Sequence, residues 1–361
     1  MKFSDVLDIR NGRNQRQVEN ENGKYPIYGS GGIMGRADDF ICDAETVVLG
    51  RKGSINNPIF VDEPFWNVDT AFGLVAHKDV LLPKYLYYFC VNFDFERLNT
   101  TVTIPSLTKA NLLQVEISVP DMDKQRYIVG ILDKVCHLIE LRQQELHELN
   151  QLVKSRFIEL FGDPATNPKG WTTKPLLNMG YCKNGMNFHT GDNGIEMHCL
   201  GVGDFKDLSI IDGTESLPVV SLNEAPPEES MLRDGDIVFV RSNGNKALVG
   251  RCLVVYPHST PTTYSGFCIR YRLTSSEVNT TYLLRVLKTD SMRRKMAGRG
   301  ANIQNLNQQI LAALNIPVPP IEQQQQFAAF VEQTDKSKLA VQKSLEELEV
   351  LKKSLMQQYF G

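Results

Sequence analysis

The sequence predicts an α+β protein: two mixed α/β domains are separated by two long helices that pack as an antiparallel coiled coil, in a pseudo-two-fold internal repeat. Two stretches match without a gap at one offset of 199 residues, from Ile104 against Ile303 to Gly162 against Gly361. Both have apolar residues spaced by about 3.5, which is typical of supercoiling helices. Strand-like segments and turns precede each helix. The chain therefore contains two copies of one plan.

The two helices are expected to pair through their apolar positions, which are separated alternately by three and four residues. At a rise of ~1.5 Å per residue, each helix is on the order of 60 Å long. A register kept over the whole repeat indicates that helix phase matters. The residues predicted to form the helix-pairing core are Leu132, Val135, Ile139, Leu146, Leu149, Val153, Val331, Val341, Leu345, Leu348 and Leu355.

The predicted domains are residues 1–120, a central helix over 121–162, a second domain over 163–319 and a C-terminal helix over 320–361. The glycine and two prolines within 161–170 favour a helix end and a domain boundary. In the first domain, strands are predicted over 44–51, 57–62, 67–76 and 115–119, a helix over 83–98 and a short capped helix within 104–113.

The second domain repeats the first with longer loops. Arg10 to Asn14 resembles Lys183 to Asn187 at an offset of 173, and the strand ending at Arg51 resembles the strand ending at Arg241 at an offset of 190. The offset then rises to 197 and 199 while the order of segments stays the same. Insertions therefore fall in the loops of the domains and not in the helices.

Composition sets the broad class of the protein. The 361 residues carry a net charge of −3, so any DNA-contacting face must be a local concentration of cations on an acidic chain. The seven cysteines are scattered, without a Cys-x-x-Cys pair. With no leading signal segment and no apolar run long enough to span a bilayer, we expect a protein of the reducing cytoplasm without membrane contact.

The sequence contains no G-x-x-x-x-G-K-[ST] phosphate loop, no G-x-S-x-G elbow, no H-E-x-x-H zinc motif and no Asn/Asp-Pro-Pro-Tyr/Phe run. Asp121 and Asp123 lie too close together for a nuclease site and suit a helix start. The segment Gly29 to Gly35 favours a tight turn over a phosphate loop. Scattered core and surface positions are favoured over zinc for Cys182, His189, His198 and Cys199.

Nucleic-acid binding has better support. The loop from Gly50 to Asn57 follows a strand and holds two cations, two glycines and short polar side chains, and the loop from Arg241 to Lys246 occupies the matching place. Arginine can bond guanine and asparagine adenine, while glycine admits a phosphate. A solvated hairpin turn is the alternative. The predicted DNA-binding residues are Arg10, Arg13, Arg51, Lys52, Ser54, Asn56, Lys183, Arg241, Ser242, Asn243, Asn245, Lys246, Arg293, Arg294, Lys295 and Arg299.

The last four of these residues belong to a dense cationic stretch. Residues 285–299 contain six cations and one acid, a net charge of +5. Such a cluster can complement a helix C-terminus or bind phosphate. The corresponding part of the first domain has no such cluster, so the two domains are not expected to bind identically.

The chain resembles a specificity subunit of a type I restriction-modification enzyme. The resemblance covers essentially the whole sequence and is carried by the two helices with their Phe-Gly endings, Ile104-Pro-Ser-Leu-Thr-Lys109, the junctions Ile117-Ser-Val-Pro120 and Ile316-Pro-Val-Pro319, Tyr25-Pro-Ile-Tyr-Gly-Ser-Gly-Gly32 and Gly50-Arg-Lys-Gly53. The resemblance implies two target-recognition domains, each reading half of a split DNA sequence. In the second copy, Asn302-Ile-Gln-Asn-Leu-Asn307 departs from the Ile-Pro-Ser-Leu-Thr pattern. This difference suggests that the loop has a different function in each of the two copies.

The resemblance also implies the partners. The helices would set the gap between the half-sites and dock two adenine-N6 methyltransferase subunits carrying S-adenosylmethionine, and a restriction and translocation subunit would use ATP and Mg²⁺. The chain itself would be a non-enzymatic monomer within a hetero-oligomer on double-stranded DNA, with no cofactor of its own. The alternatives are a coiled-coil interaction adaptor that does not bind DNA, and an enzyme with an unrecognised site such as the Gly29 to Gly35 loop.

Overall fold

The computed structural model describes residues 1–99, 104–188, 194–205, 208–297 and 305–361. The chain divides into two compact units, unit 1 with Met1–Leu146 and Ala340–Gly361, and unit 2 with His147–Leu339. The described α-helices are α1 (Phe3–Val6), α2 (Pro83–Asn92), α3 (Lys109–Leu113), α4 (Met122–Phe161), α5 (Thr280–Lys288), α6 (Asp290–Ala297), α7 (Gln308–Ala312) and α8 (Ile321–Phe360). Each unit therefore contains part of both long helices, α4 and α8.

Unit 1 contains two small sheets. Its strands are β1 (Leu7–Asn11), β2 (Tyr25–Gly29), β3 (Gly32–Ala37), β4 (Thr46–Gly50), β5 (Ile59–Val61), β6 (Trp66–Asn67) and β7 (Ala71–Ala76). An antiparallel sheet has the order β1-β7-β4-β5, and a second sheet has the order β3-β2-β6 with β2 and β6 parallel. Strand β4 is buried on both faces, as its continuous β-branched and apolar run requires.

Unit 2 repeats this arrangement with more strands. They are β8 (Thr173–Pro175), β9 (Gly180–Asn184), β10 (Ile195–Leu200), β11 (Ile210–Asp212), β12 (Val219–Leu222), β13 (Asp236–Val240), β14 (Cys252–Tyr256), β15 (Thr262–Tyr264), β16 (Cys268–Leu273) and β17 (Asn315–Pro317). The main sheet, β11-β14-β13-β16-β9, contains the order of the unit 1 sheet with β11 added. A sheet of order β12-β10-β15 repeats β3-β2-β6, and β17 pairs with β8.

The long helices pack antiparallel within each unit. In unit 1, Ile128 near the start of α4 shares a buried core with Met356 near the end of α8. In unit 2 the ends are exchanged, because Phe157 and Phe161 of α4 lie 5.6 and 5.5 Å from Phe327 of α8, measured between ring centroids. The predicted fold is thereby confirmed. All the residues predicted for the helix-pairing core are buried or half-buried.

Three of the predicted elements of the first domain are wrong in detail. The helix predicted over 83–98 ends at Asn92, because Phe93 is extended and Asp94 caps a separate 3-10 turn, Phe95–Leu98. The strand predicted over 67–76 is broken by a turn between β6 and β7. Residues 115–119 form only an isolated bridge, between Glu116 and Lys2, because the N-terminal residues offer a single short partner.

Candidate nucleic-acid interface

The loop after β4 is held by its backbone from both sides. The amide of Arg51 donates to the carbonyl of Thr70 over 2.8 Å, and the carbonyl of Arg51 accepts from the amide of Leu107 over 2.9 Å. Lys52 forms a β-bridge with Ser106. Because these contacts use main-chain atoms, the cationic side chains of Arg51 and Lys52 remain exposed. The fold fixes the place of the loop and leaves its charges at the surface.

The guanidinium of Arg51 is oriented by an aromatic ring. Its Cζ atom lies 5.7 Å from the centroid of the Phe72 ring, within the range of a cation–π contact. A cation–π contact uses none of the N–H donors of the guanidinium, so they stay available to another partner. Arg51 is therefore both anchored and able to donate bidentate hydrogen bonds.

Two glycines fold this loop against the β2–β3 hairpin. A Cβ atom at Gly50 would lie only 2.2 Å from the carbonyl oxygen of Ser54, so the turn admits no side chain there. Gly53 has a φ of +83°, a conformation that favours glycine. A Cβ atom at Gly53 would lie 3.8 Å from Oγ of Ser30, which is in the hairpin turn. The Gly29 to Gly35 segment thus contains the turn of the β2–β3 hairpin, and that turn lies beside the cationic loop.

Arg10 and Arg13 lie around the same turn as Arg51. The amide of Arg13 donates to the carbonyl of Asn67 over 2.9 Å, and the carbonyl of Arg13 accepts from Nε1 of Trp66 over 3.0 Å. The buried Asn67 side chain also lies 3.5 Å from the carbonyl of Arg10. Arg10 and Arg13 are exposed. Asn67 and Thr70 therefore contact the backbone of all four predicted cations of unit 1, Asn67 that of Arg10 and Arg13 and Thr70 that of Arg51 and Lys52.

The two other predicted residues of this loop, Ser54 and Asn56, differ in their contacts. Ser54 is exposed. Asn56 instead joins the loop to the start of the 3-10 turn Phe95–Leu98, because its Oδ1 accepts from the amide of Phe95 over 2.7 Å and its Nδ2 donates to Asp94 over 2.9 Å. That second bond is the main cause lowering the pKa of Asp94. Asn56 has an anchoring role in the fold, and its predicted DNA contact stays a prediction.

Unit 2 holds its loop by the same backbone contacts. The amide of Arg241 donates to the carbonyl of Phe267 over 2.8 Å, and the carbonyl of Arg241 accepts from the amide of Leu306 over 2.7 Å. Ser242 forms a β-bridge with Asn305. All these partners occupy the repeat positions of their counterparts in unit 1. The two loops matched in the sequence are therefore structural equivalents.

The rest of the unit 2 loop is shaped by asparagine side chains. Oδ1 of Asn243 accepts from the amide of Asn245 over 2.8 Å, and Oδ1 of Asn245 accepts from the amide of Ala247 over 3.0 Å. Such turns use the amide oxygen and leave the NH₂ group as a donor. Asn245 and Lys246 are exposed. This loop can present amide donors, whereas Arg241 is half-buried and its Nη1 donates to the carbonyl of Gly266 over 3.3 Å.

The remaining predicted cations lie in different surroundings. Lys183 in β9 forms an ion pair with Glu229, and their hydrogen bond is the main cause lowering the pKa of that carboxylate. In α6, Nη2 of Arg293 donates to the carbonyl of Ala247 over 2.8 Å, which joins α6 to the end of the loop. Arg294 and Lys295 are exposed on α6. Arg299 lies outside the described residues.

The acidic residues at the start of α4 stabilise the helix and do not form a nuclease site. Oδ1 of Asp121 accepts from the amide of Lys124 over 2.8 Å and caps α4, and Asp123 pairs with Arg126 over 2.6 Å. Within the described ranges, no group of three His, Cys, Asp or Glu residues could hold a metal ion; His189 lies outside those ranges. None of the described helices is long and apolar enough to cross a membrane.

A family model decides the class of the protein. The model of the type I restriction modification DNA specificity domain matches residues 1–151 and again residues 231–350, which together exceed half of the chain. The chain belongs to this family. The two matches confirm the predicted family and agree with the internal repeat. Membership in a family of specificity chains also confirms the prediction of a non-enzymatic protein.

Curated members of the type I specificity family are similar over much of the chain. The StySPI specificity subunit of Salmonella potsdam is 24% identical over 309 residues, which cover 79% of this chain and 65% of that protein. The MjaVIII specificity subunit of Methanocaldococcus jannaschii is 22% identical over 341 residues, covering 88% of this chain and 79% of that protein. The chain thus spans slightly less than two thirds of the first relative's length.

Two solved structures share the fold of this type I specificity family member. The S subunit of a type I restriction-modification system from M. genitalium has a TM-score of 0.66 at 17% identity and covers 100% of this chain and 95% of that chain. A structure described for complex assembly and conformational transition of the type I R-M system has a TM-score of 0.60 at 17% identity, covering 100% and 96%. Both confirm the fold class.

The structure adds surface residues that the sequence reasoning missed. Phe267 is 61% exposed, although its carbonyl holds the Arg241 loop. In unit 1, Ile33 and Met34 are 66% and 62% exposed at the β2–β3 hairpin. An apolar residue next to glycine at a turn was the available signal, since turns normally carry polar residues. Each cationic loop therefore has an exposed apolar neighbour.

Proposed function

We propose that this chain is the DNA-reading subunit of a type I restriction-modification complex and that each unit recognises one half of a bipartite duplex target. One observation carries the proposal: the same backbone clamp holds Arg51 in unit 1 and Arg241 in unit 2. A clamp repeated around two loops of different sequence is what two readers with one geometry and two specificities require.

The chemistry of the loops suits duplex DNA. Arginine at the position of Arg51 or Arg241 can bond guanine bidentately in the major groove, and the NH₂ groups of Asn243 and Asn245 can donate to base edges. Lysine at position 52 suits phosphate contact, as do the exposed cations of α6. Direct base contacts would give specificity, and the phosphate contacts would give salt-dependent affinity.

The long helices support a role as spacer and docking surface. They expose apolar residues that the fold does not need, among them Leu152 and Leu351, which are 48% and 44% exposed. These two leucines are related by the 199-residue repeat. A repeated apolar contact fits two copies of one partner, and we assign it to two adenine-N6 methyltransferase subunits carrying S-adenosylmethionine. A restriction and translocation subunit using ATP and Mg²⁺ would complete the complex, with one copy of this chain in the cytoplasm.

Mapping of N6-methyladenine tests the function. The chain is co-expressed with an adenine methyltransferase subunit of a type I system, and the host genome is sequenced for modified adenines. We expect an asymmetric motif of two specified halves separated by a fixed unspecified gap. An unchanged methylation pattern in the absence of the chain would overturn the proposal. An adaptor that does not bind DNA would show no salt-dependent duplex binding and no co-purifying methyltransferase.

A further inference from the structure

Unit 2 contains a cationic cavity beside the end of the Arg241 loop, and residues 241–246 are not among its lining residues. Its volume is about 580 Å³, and it is lined by the C-terminal part of α4, by α5 and by α6. The charged lining residues are the cations Lys154, Arg251, Arg285, Lys288, Arg293 and Arg294 and the acids Asp163 and Asp290. Six cations against two acids give the lining a net charge of +4. A cavity of this size and charge suits a small anionic ligand.

Two half-buried arginines of the lining, Arg285 and Arg293, have hydrogen-bond donors that are not satisfied. Among the described residues, the buried Nε atoms of Arg285 and Arg293 have no hydrogen-bond partner. Burial is also the main cause lowering the pKa of Arg285. A buried N–H group without an acceptor is unfavourable, and the charge of Asp335 offsets only part of the effect of burial on Arg285. An anion held by the guanidinium groups in the adjacent cavity would reduce this cost.

Lys288 is fixed at the edge of the cavity. Its Nζ donates to the carbonyl of Leu208 over 3.1 Å and lies 2.7 Å from Oγ of Ser209. An ammonium group has three N–H donors, so these two contacts leave a third. Burial is the main cause lowering the pKa of Lys288, so an anion nearby would favour its charged form. Lys288 is thus placed to contribute to anion binding.

The opposite wall of the cavity is apolar. It includes Val153, Phe157, Phe205 and Cys252, so this part of the lining has no cationic side chain to bind a phosphate. A free phosphate or a sugar–phosphate backbone has no flat apolar group to cover such a wall. A nucleotide has one, because its heterocycle stacks on aromatic rings while its phosphates meet cations. The lining therefore favours a ligand with both parts.

Unit 1 lacks three of these cations, Arg285, Lys288 and Arg293, at the corresponding positions. By the 197-residue offset, Tyr88 stands where unit 2 has Arg285, and its hydroxyl donates to Asp133 over 2.7 Å. Val91 stands at the place of Lys288, and Glu96 at the place of Arg293. The shared fold thus does not require Arg285, Lys288 and Arg293, which are particular to unit 2.

We propose that this cavity binds a small phosphorylated ligand of the nucleotide class, with phosphates against Arg285, Lys288 and Arg293 and the heterocycle against Phe157 and Phe205. The proposal goes beyond DNA reading and does not depend on it. A phosphate could also come from duplex DNA, and the two sources differ in whether a free nucleotide binds.

Calorimetric titration of the full chain tests this site. ADP without added metal, inorganic pyrophosphate and adenosine serve as probes. We expect one ADP per chain, weaker binding of pyrophosphate and weaker still of adenosine, which has no phosphate. Arg285→Met should weaken ADP binding by roughly tenfold or more, because it removes a charged hydrogen-bonding group. Arg97→Met, at the unit 1 position matching Arg294, should leave ADP binding unchanged.

A surface variant keeps the test valid if Arg285→Met does not fold. Arg294 is exposed, so Arg294→Gln should fold and should weaken ADP binding about threefold. No ADP or pyrophosphate binding at millimolar concentration would overturn the proposal, as would affinities unchanged in both variants. If the wild-type chain binds only duplex DNA and Arg285→Met lowers that affinity, the cations serve DNA and the nucleotide site is rejected. Loss of duplex binding in Arg51 or Arg241 variants would concern only DNA reading.

Discussion

Gln125 and Gln324 occupy the same position in the two long helices and make the same three hydrogen bonds. Both side chains are fully buried. Oε1 of Gln125 accepts from the amide of Leu82, and its Nε2 donates to the carbonyls of Val80 and Pro120, each over 2.8 Å. One side chain thus joins the first turn of α4 to the segment that begins α2.

Gln324 repeats this joint in unit 2. Its Oε1 accepts from the amide of Asn279 over 2.9 Å, and its Nε2 donates to the carbonyls of Glu277 and Pro319 over 3.0 and 2.7 Å. The partners are shifted by the same offsets as the rest of the repeat. Each domain is therefore attached to its long helix by an equivalent set of buried bonds, which fixes the direction in which the helix leaves the domain.

Replacing either glutamine should destabilise its unit. Gln125→Leu and Gln324→Leu each leave one buried N–H and two carbonyls without partners, and we expect a loss of about 2–5 kcal/mol in the free energy of unfolding. Chemical unfolding followed by circular dichroism measures it. Gln326→Leu, at an exposed position two residues further along α8, should change the free energy by less than about 0.5 kcal/mol. Equal effects of buried and exposed variants would contradict the anchoring role.

The paired helices should depend on their buried leucines. Leu132 is 0% exposed, so Leu132→Ala should lower the free energy of unfolding by about 2–5 kcal/mol through lost burial and a residual cavity. Leu339 is 72% exposed, and Leu339→Ala should be nearly neutral. Thermal unfolding of both variants checks the difference. A neutral Leu132→Ala would mean that α4 is not held by this core.

The long helices and their pairing with each other were predictable because the apolar positions are periodic and the pattern occurs twice. Positions such as Leu132 and Leu345 repeat every 3.5 residues, and the gapless offset identifies their copies. The clamp around Arg51 and Arg241 was only partly predictable. The sequence matched the two loops, but the bonds to Thr70 and Phe267 join residues distant in the chain, which carry no local pattern.

Other features were missed for similar reasons. A glutamine near a helix start gives no sign that it is buried, because glutamine is usually exposed. The break at Phe93 depends on the capping of the next turn by Asp94, which competes with a continuous helix. Strand-like segments such as 115–119 form ladders only where a long enough partner exists. Long-range partners decide these outcomes, and local propensity does not.

His258 should titrate above its ordinary range. A hydrogen bond with Asp212 over 2.7 Å is the main cause raising the pKa of His258. A raised pKa means that the contact stabilises the fold below the unfolded-state pKa of about 6.5 and is lost as pH rises through the higher folded value. NMR titration of the His258 ring should give a midpoint above 6.5, and Asp212→Asn should lower it. A midpoint unaffected by Asp212→Asn would contradict the pairing.

Lengthening a long helix should change the gap between half-sites. Inserting four residues into α4 adds ~6 Å at 1.5 Å per residue, which corresponds to about two base pairs at 3.4 Å each. We expect methylated motifs with an altered spacer and unchanged half-sites. Methylome sequencing beside the unmodified chain checks this. Altered bases with an unaltered spacer would contradict the role of the helices as a spacer.

The central claim is that each unit reads its own half of the target, and the methylomes of single loop variants test it most directly. Arg51→Ala and Arg241→Ala are each co-expressed with the methyltransferase subunit and compared with the unmodified chain. Loss of one guanidinium donor pair should cost about 1–3 kcal/mol of base discrimination. We predict that each variant relaxes one half of the motif, a different half in each case, and leaves the other half intact. Relaxation of the same half by both variants, or of neither half, would contradict the account.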